Sequence, residues 1–332
     1  MGGRALNELL TTDEANALIA RGCVLHIAGD EQAMRRLKRG NWIGGTTPYM
    51  LTHDGGMVER DKVFVTELPV PPDAASTEFV DIGHIPAISV DAPRFGFTLV
   101  IMPAMSEVHS IYSLTSANIP GIRDIPLMGW VSGVHADQRD KAKAKVFDGI
   151  TGEVADDRIV VMRARLPFSK EAKVDIVNLV MPGTGDTFVF DAPSFSVREC
   201  EINGKREDLY EYAVRNRIGV HQPLVTEMNG EPICVSLRGV DAETRSVQFF
   251  APVMRGRVYR LGDAVTGYRD RLIRTIKERA LHPVLAFNCF HNYAFGGLMA
   301  PSPYPLPGPV VFGELAHVLM NQTLVCLSIR NK

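Results

Sequence analysis

The chain has little that ties it to a familiar chemistry. Its five cysteines, Cys23, Cys200, Cys234, Cys289 and Cys326, are odd in number and no two are spaced Cys-x-x-Cys. That argues against a disulfide framework or a thiolate zinc site, and for reduced thiols packing as small hydrophobes. The longest apolar run, around Phe97 to Met102, is far too short to cross a bilayer. The opening Met-Gly-Gly-Arg-Ala-Leu is not an apolar signal segment, and Leu6 stands where a myristoylation signal has Ser or Thr. These absences predict a cytoplasmic protein without a membrane partner. Charge of one sign is also missing. With 36 Lys plus Arg against 38 Asp plus Glu the net charge is -2, and the largest basic cluster, Arg35-Arg36 with Lys38-Arg39, fits one short helix. A nucleic acid partner would require a broader basic face. Internal repeats and low-complexity tracts are absent as well.

What is present is ordinary globular sequence, with 45% apolar and 22% charged residues over 332 positions, enough for two domains or one large two-lobed unit. Thr11-Thr-Asp-Glu14 has the form of a capping box before a helix that Gly22 ends. Next come a strand from Cys23 to Ile27, a short basic helix opened at Asp30 and running to Arg39, and a strand at Trp42-Ile43, which is α/β punctuation. Lys62 to Leu68 and Phe97 to Met102 read as strands, and Ser106 caps a helix reaching about Ser116. The middle turns strand-rich: Lys143 to Phe147, Arg158 to Leu166, Val174 to Val180 and Thr187 to Phe190 are short β-branched and aromatic runs divided by Gly-rich turns. Asp208 to Val214 is a short helix, and Pro223 to Met228, Ile233 to Val240 and Ser246 to Pro252 are strands, the first two parted by an Asn229-Gly230 turn. Asp263 is expected to cap the clearest helix, with Val265, Tyr268, Leu272, Ile273 and Ile276 on one stripe and Pro283 as its stop. Strands Val284 to Phe287 and Thr323 to Ile329 close the chain, and Val265, Leu272, Ile276, Val284, Leu285 and Leu327 are expected to be buried together. The fold class is therefore α/β of the mixed α+β kind, two mixed-sheet lobes with packing helices.

The segment Val311-Phe-Gly-Glu-Leu-Ala-His-Val-Leu-Met-Asn-Gln-Thr-Leu-Val-Cys-Leu-Ser-Ile329 resembles the end of the FIST C-terminal domain. Gly44-Gly-Thr-Thr47 resembles a strand-to-loop junction of the FIST N-terminal domain. FIST proteins are presumed intracellular ligand-sensing modules. The resemblance implies a FIST N-like domain over residues 1–194, a FIST C-like domain over 195–332, and no fused output domain, so a partner protein would supply the signalling output. It further implies a cytoplasmic, sensory, small-molecule-binding protein whose ligand is an amino acid or similar polar metabolite. A cysteine at the end of the Val284 strand recurs in that family, and Cys289 matches it. Some FIST-like proteins are thought to bind haem through one histidine, which leaves a haem-based gas sensor open, with His109 or His221 as the candidate ligand.

The residues themselves leave several roles open. Phe287-Asn-Cys-Phe-His-Asn-Tyr293 is the densest polar cluster on an apolar background. Asn288, Cys289 and Asn292 either tie down an irregular loop or line a pocket at the carboxyl edge of the sheet, where α/β folds place ligands. A nucleophilic Cys289 with His291 as base, or an enzyme using Glu314, is the alternative, although nothing nearby supplies an orienting acid or oxyanion hole. Glu314, expected where the chain turns helical, and Asn321 either satisfy backbone groups or grip the amino and carboxylate groups of a ligand. Glu314 and His317 form a single Glu-x-x-His step without the second copy a metal site needs. Gly45, Thr46 and Thr47 could offer backbone N–H groups and hydroxyls to an anion, yet the stretch lacks the Lys of a Walker loop and the spacing of a dinucleotide fingerprint. The expected ligand-binding set is thus Gly45, Thr46, Thr47, Asn288, Cys289, Asn292, Glu314 and Asn321, around one concavity; no catalytic residue, metal or cofactor is assigned.

Overall fold

A computed structural model describes residues 6–138, 141–228 and 230–332. Met1 to Ala5, which open the chain, and Asn229 of the expected Asn229-Gly230 turn lie outside these residues.

The local signals act largely as the chemistry dictates. Thr11 Oγ1 accepts from the Glu14 N–H while the Glu14 carboxylate accepts from Thr11, closing the capping box on helix Thr12–Ala20. Ser106 caps Glu107–Thr115 and Asp208 caps Leu209–Arg215. The basic helix opened by Asp30 is shorter than expected, Glu31–Met34. The Asn16 side chain explains why: its amide donates to Arg36 O and its carbonyl oxygen accepts from Lys38 N, drawing those backbone groups out of helical pairing.

The helix expected from Asp263 starts later, at Tyr268–Glu278, after Gly267 in a left-handed conformation, so Asp263 is not its cap. The Asp263 N–H instead bonds Met181 O, continuing the strand Val258–Gly262. The helix ends at Glu278, ahead of Pro283, and buries Tyr268, Leu272 and Ile276 while Val265 is half-buried before it. Those residues pack on Leu324 and Cys326, whereas Leu285 and Leu327 belong to a different cluster with Phe287 and Val325. The expected single cluster is divided because side chains on a strand alternate faces: 324 and 326 meet the helix, 325 and 327 point the other way.

Among the described residues, three of the four six-stranded sheets each hold one parallel pair. In the first, Leu25–Gly29 lies parallel to Trp42–Thr46 between Val63–Glu67 and Val146–Asp148. In the second, Gly96–Pro103 lies parallel to Leu127–Ser132. In the third, Leu285–Cys289 lies parallel to Gly308–Val311 and antiparallel to Thr323–Asn331. The architecture is mixed α/β, with helices packed on these sheets. His26, Trp130 and Phe287, one from each sheet, meet at the centre, with ring centroids 5.1–6.0 Å apart. The Trp130 Nε1–H donates to His26 Nε2 at 2.8 Å, and burial pushes the His26 imidazole down to about 3, so it is neutral.

The boundary expected at residue 195 does not separate the sheets. Lys170–Asn178 pairs with Thr323–Asn331, Tyr49–Thr52 with Gly308–Val311, and Leu127–Ser132 with Glu314–Ala316. Early and late parts of the chain thus share two sheets, while strands from Pro182 to Gly262 make two sheets of their own. Glu314 also sits on a strand rather than at a helix start. Among the described residues no helix is long and apolar enough to cross a membrane.

Candidate functional site

The parallel strands Leu25–Gly29 and Trp42–Thr46 end side by side, and the chain leaving them forms one wall of a cleft of about 340 Å³. Ligands in α/β proteins commonly sit outside the carboxyl ends of parallel strands. Asp30 leaves the first strand, Thr46 and Thr47 the second, and Gly133 comes directly after Leu127–Ser132 of the neighbouring sheet.

Charges of both signs line this cleft and hold one another in place. Arg60 Nε lies 3.0 Å from Asp30 Oδ2, and its Nη2 donates to Gln138 Oε1 at 2.9 Å. Glu31 receives Lys145 Nζ at 2.6 Å and Arg35 Nε at 2.7 Å. Burial alone would raise the Glu31 pKa, but the hydrogen bonds from Lys145 and Arg35 outweigh it and keep the carboxyl below its usual range.

The glycine-threonine stretch contributes less than its sequence promised. Gly44 and Gly45 lie inside a strand, not in an anion-cradling loop. Their missing Cβ atoms answer to packing: a Cβ on Gly44 would sit 2.4 Å from Ile27 O, and one on Gly45 2.8 Å from Ile101 and Trp130. Gly45 is therefore a core contact and does not line the cleft. Thr46 and Thr47 do line it, but their hydroxyls serve the protein. Thr46 Oγ1 accepts from Lys145 N at 2.9 Å, and Thr47 Oγ1 donates to Val310 O at 2.7 Å.

The remaining expected residues come together elsewhere, in a closed polar cluster. Asn288 donates to Tyr304 Oη at 3.0 Å and accepts from Asn292 Nδ2 at 3.0 Å, and Asn292 reaches Thr323 O at 3.3 Å. Thr323 in turn gives its N–H and hydroxyl to Glu314 Oε2, at 3.2 and 2.8 Å. Cys289 ends the strand Leu285–Cys289, where the Glu314 carboxyl acts on its thiol, and its sulfur is 4.0 Å from His291 Nδ1. Asn321 sits beside this group, its Oδ1 accepting from Ser236 N at 3.0 Å. All five expected residues, Asn288, Cys289, Asn292, Glu314 and Asn321, are buried.

Burial dominates the electrostatics here. Glu314 is fully buried with no cation beside it among the described residues, and desolvation lifts its carboxyl to about 8 despite the Thr323 donors. Burial first, and then the Glu314 charge, pushes the Cys289 thiol well above its ordinary value, while burial lowers His291 to about 4. A protonated thiol beside a neutral imidazole is not an activated nucleophile. Among the described residues, three polar atoms in this region have no hydrogen-bond partner: Glu314 Oε1, Asn321 Nδ2 and the Tyr268 hydroxyl, whose pKa is raised first by burial and then by the charges of Tyr304, Cys289 and Glu314.

The expected single concavity is not formed: Thr46 and Thr47 line the cleft, while Asn288, Cys289, Asn292, Glu314 and Asn321 lie in the closed interior and do not line it. Between them stand aromatic rings: Phe312 stacks on Phe290 with centroids 5.3 Å apart, and both meet Tyr49. Asp30, Glu31, Arg35, Arg60 and Gln138 were not foreseen as cleft residues. Asp30, an acid directly after a strand, carried a readable signal, whereas Arg60 reaches the cleft through a turn without a motif. The Glu314–His317 step lies on a strand and its turn, and His317 Nε2 is taken by Ile125 O at 2.9 Å. Among the described residues no group of three or more His, Cys, Asp or Glu could hold a metal ion. His109 is buried against Phe195 and lowered to about 4 by burial, and His221 is exposed.

Sequence comparison agrees with a chain that is one family unit from near its start to near its end. A model of a family of unknown function, DUF6976, matches residues 10–330, and the chain belongs to that family. No curated protein matches it in sequence.

Proposed function

We propose that the protein binds a small polar metabolite carrying both a positive and a negative group, an amino acid being the simplest such ligand, in the cleft between Asp30 and Arg60. One observation carries the reading: a recess of about 340 Å³ at the carboxyl ends of a parallel strand pair has an acid and a guanidinium on its lining, already aligned with each other at 3.0 Å. That volume lies in the range of small-molecule sites. A zwitterion can exchange the protein's own ion pair for two intermolecular ones, its ammonium on Asp30 and its carboxylate on Arg60, without leaving a charge unpaired. The likeness of the terminal segment to FIST modules supports a cytoplasmic, sensory role with a separate output partner.

Thermal-shift screening against amino acids and related zwitterions tests this. A ligand at 100 times its Kd adds about 2.7 kcal/mol of stability. Wild type should shift with at least one compound, and Arg60→Gln and Asp30→Asn should each abolish the shift. Arg60 is nearly half exposed, so its loss should cost little stability by itself. A shift that survives both substitutions places the ligand elsewhere, and a library without effect removes the reading.

A further inference from the structure

The cleft and the buried polar cluster share a wall. Phe312 lies with its ring on Gly133, so close that a Cβ there would fall 2.2 Å from it, and Gly133 lines the cleft. Phe312 also stands two residues before Glu314, and Phe290, on which it stacks, comes directly after Cys289. Both rings are only half-buried, in contrast to the closed residues behind them. The aromatic pair between outside and inside is therefore attached to the two chemically distinctive groups of the cluster.

The cluster itself is incomplete. Glu314 spends both Thr323 donors on Oε2 and leaves Oε1 empty, and Asn321 Nδ2 and Tyr268 Oη are likewise buried without partners. Unmet buried polar groups each carry a desolvation cost, and several in one region mark a place where a polar guest would be held. Among the described residues no lysine or arginine donates to Glu314, so once the carboxyl is ionised Oε1 lacks a hydrogen-bond donor, and a cationic one would hold it in its charged form.

We propose that the Glu314 cluster is an inner compartment of the cleft, gated by the Phe312–Phe290 stack, and that it takes a primary ammonium group. This rests on the cleft reading only for the route of entry. The ammonium would donate to Glu314 Oε1, with Tyr268 Oη available as a second acceptor.

Cys289 is a built-in reporter, because the Glu314 carboxyl acts on its thiol. The experiment tracks modification of each cysteine by mass spectrometry with methyl methanethiosulfonate, a small uncharged thiol reagent, at pH 8.5. In Phe312→Ala, Cys289 should label at least tenfold faster than in wild type, with Cys200 and Cys326 unchanged as controls for unfolding. Phe290→Ala, the other half of the stack, should act in the same direction and guards against a folding defect in the first variant. Methylammonium chloride should slow Cys289 labelling in Phe312→Ala relative to sodium chloride at equal ionic strength, and Glu314→Gln added to that variant should erase the protection. Labelling of Cys289 that rises no more than that of Cys326 in both variants would sink the gate, and equal rates in methylammonium and sodium would sink the ammonium site. Neither failure touches the cleft reading, which stands or falls on the Arg60→Gln and Asp30→Asn shifts.

Discussion

Thr323 binds only one oxygen of Glu314: its N–H and its hydroxyl both go to Oε2, while Oε1 has no partner. A buried carboxyl held at one end and neglected at the other is a cost that depends on protonation.

That cost gives the first prediction. The Glu314 pKa is about 8 in the folded chain against about 4.5 unfolded, raised by burial. Between those values the folded state binds the extra proton, so stability is full below pH 4.5 and declines as pH rises toward 8. Each unit of that window is worth about 1.4 kcal/mol. Glu314→Gln keeps a carbonyl oxygen for Thr323 and removes the titration. Urea unfolding at pH 6 and pH 8 should show the variant losing less stability across the interval than wild type. Parallel losses would mean that Glu314 titrates normally.

Histidines act in the opposite direction. His26 is pushed down to about 3, and His109 and His291 to about 4, by burial in each case. An unfolded imidazole titrates near 6.5, so below that pH the unfolded chain takes up protons first and each of these residues draws stability away as pH falls. At pH 5 the effect is roughly 2 kcal/mol per residue, from the 1.5 units below 6.5. His109 is the informative one, because its Nε2 has no partner and its ring already packs on Phe195. His109→Phe should be near neutral at pH 7 and stabilising at pH 5; equal effects at the two pH values would show that His109 is not held neutral.

Much of this fold was legible in the sequence because its signals are local. Thr11 and Glu14 close a ring within four residues, and Ser106 and Asp208 each cap the helix that begins one residue later. The misreadings are where distant chain intervened. Asp263 has the form of a cap, but Met181, directly ahead of the strand Pro182–Val189 far earlier in the chain, takes its N–H and keeps it beside the sheet. Gly44 and Gly45 read as a loop because the rings and carbonyls that exclude a Cβ come from Ile27, Ile101 and Trp130. At the site, Asn288, Cys289, Asn292 and Glu314 stand out as polar residues on an apolar background, a contrast visible in one dimension. The Asp30–Arg60 pair does not, since only the folded chain brings it together.

Thiol reactivity should track burial. Cys200, Cys234, Cys289 and Cys326 are buried, and Cys23 is half-exposed. Desolvation raises Cys200 and Cys234 to about 12. Cys23 is also raised, by burial and then by Glu67, but far less enclosed. A disulfide reagent at pH 8 should titrate one thiol in the native protein, at Cys23, and all the cysteines in denaturant. Native labelling at Cys289 would reveal an activated thiol and favour a catalytic role for it.

The alternation of faces along the last strand makes a prediction about coupling. Leu272 of the helix packs in one cluster with Leu324, while Leu285 packs in another with Leu327, on the opposite face of the sheet. Leu272→Ala and Leu285→Ala should each cost about 2–5 kcal/mol, since each empties a fully buried site. Because they share no packing partner, the double variant should lose the sum of the two to within about 0.5 kcal/mol. Leu272→Ala with Leu324→Ala removes two members of one cluster, and there the losses should depart from the sum by more than that margin, because the first cavity changes what the second removes. Coupling of Leu272 to Leu285, measured by urea unfolding of the four corners of each cycle, would place these side chains in one common core and overturn the separation of faces, and additivity of Leu272 with Leu324 would deny that those two share a cluster.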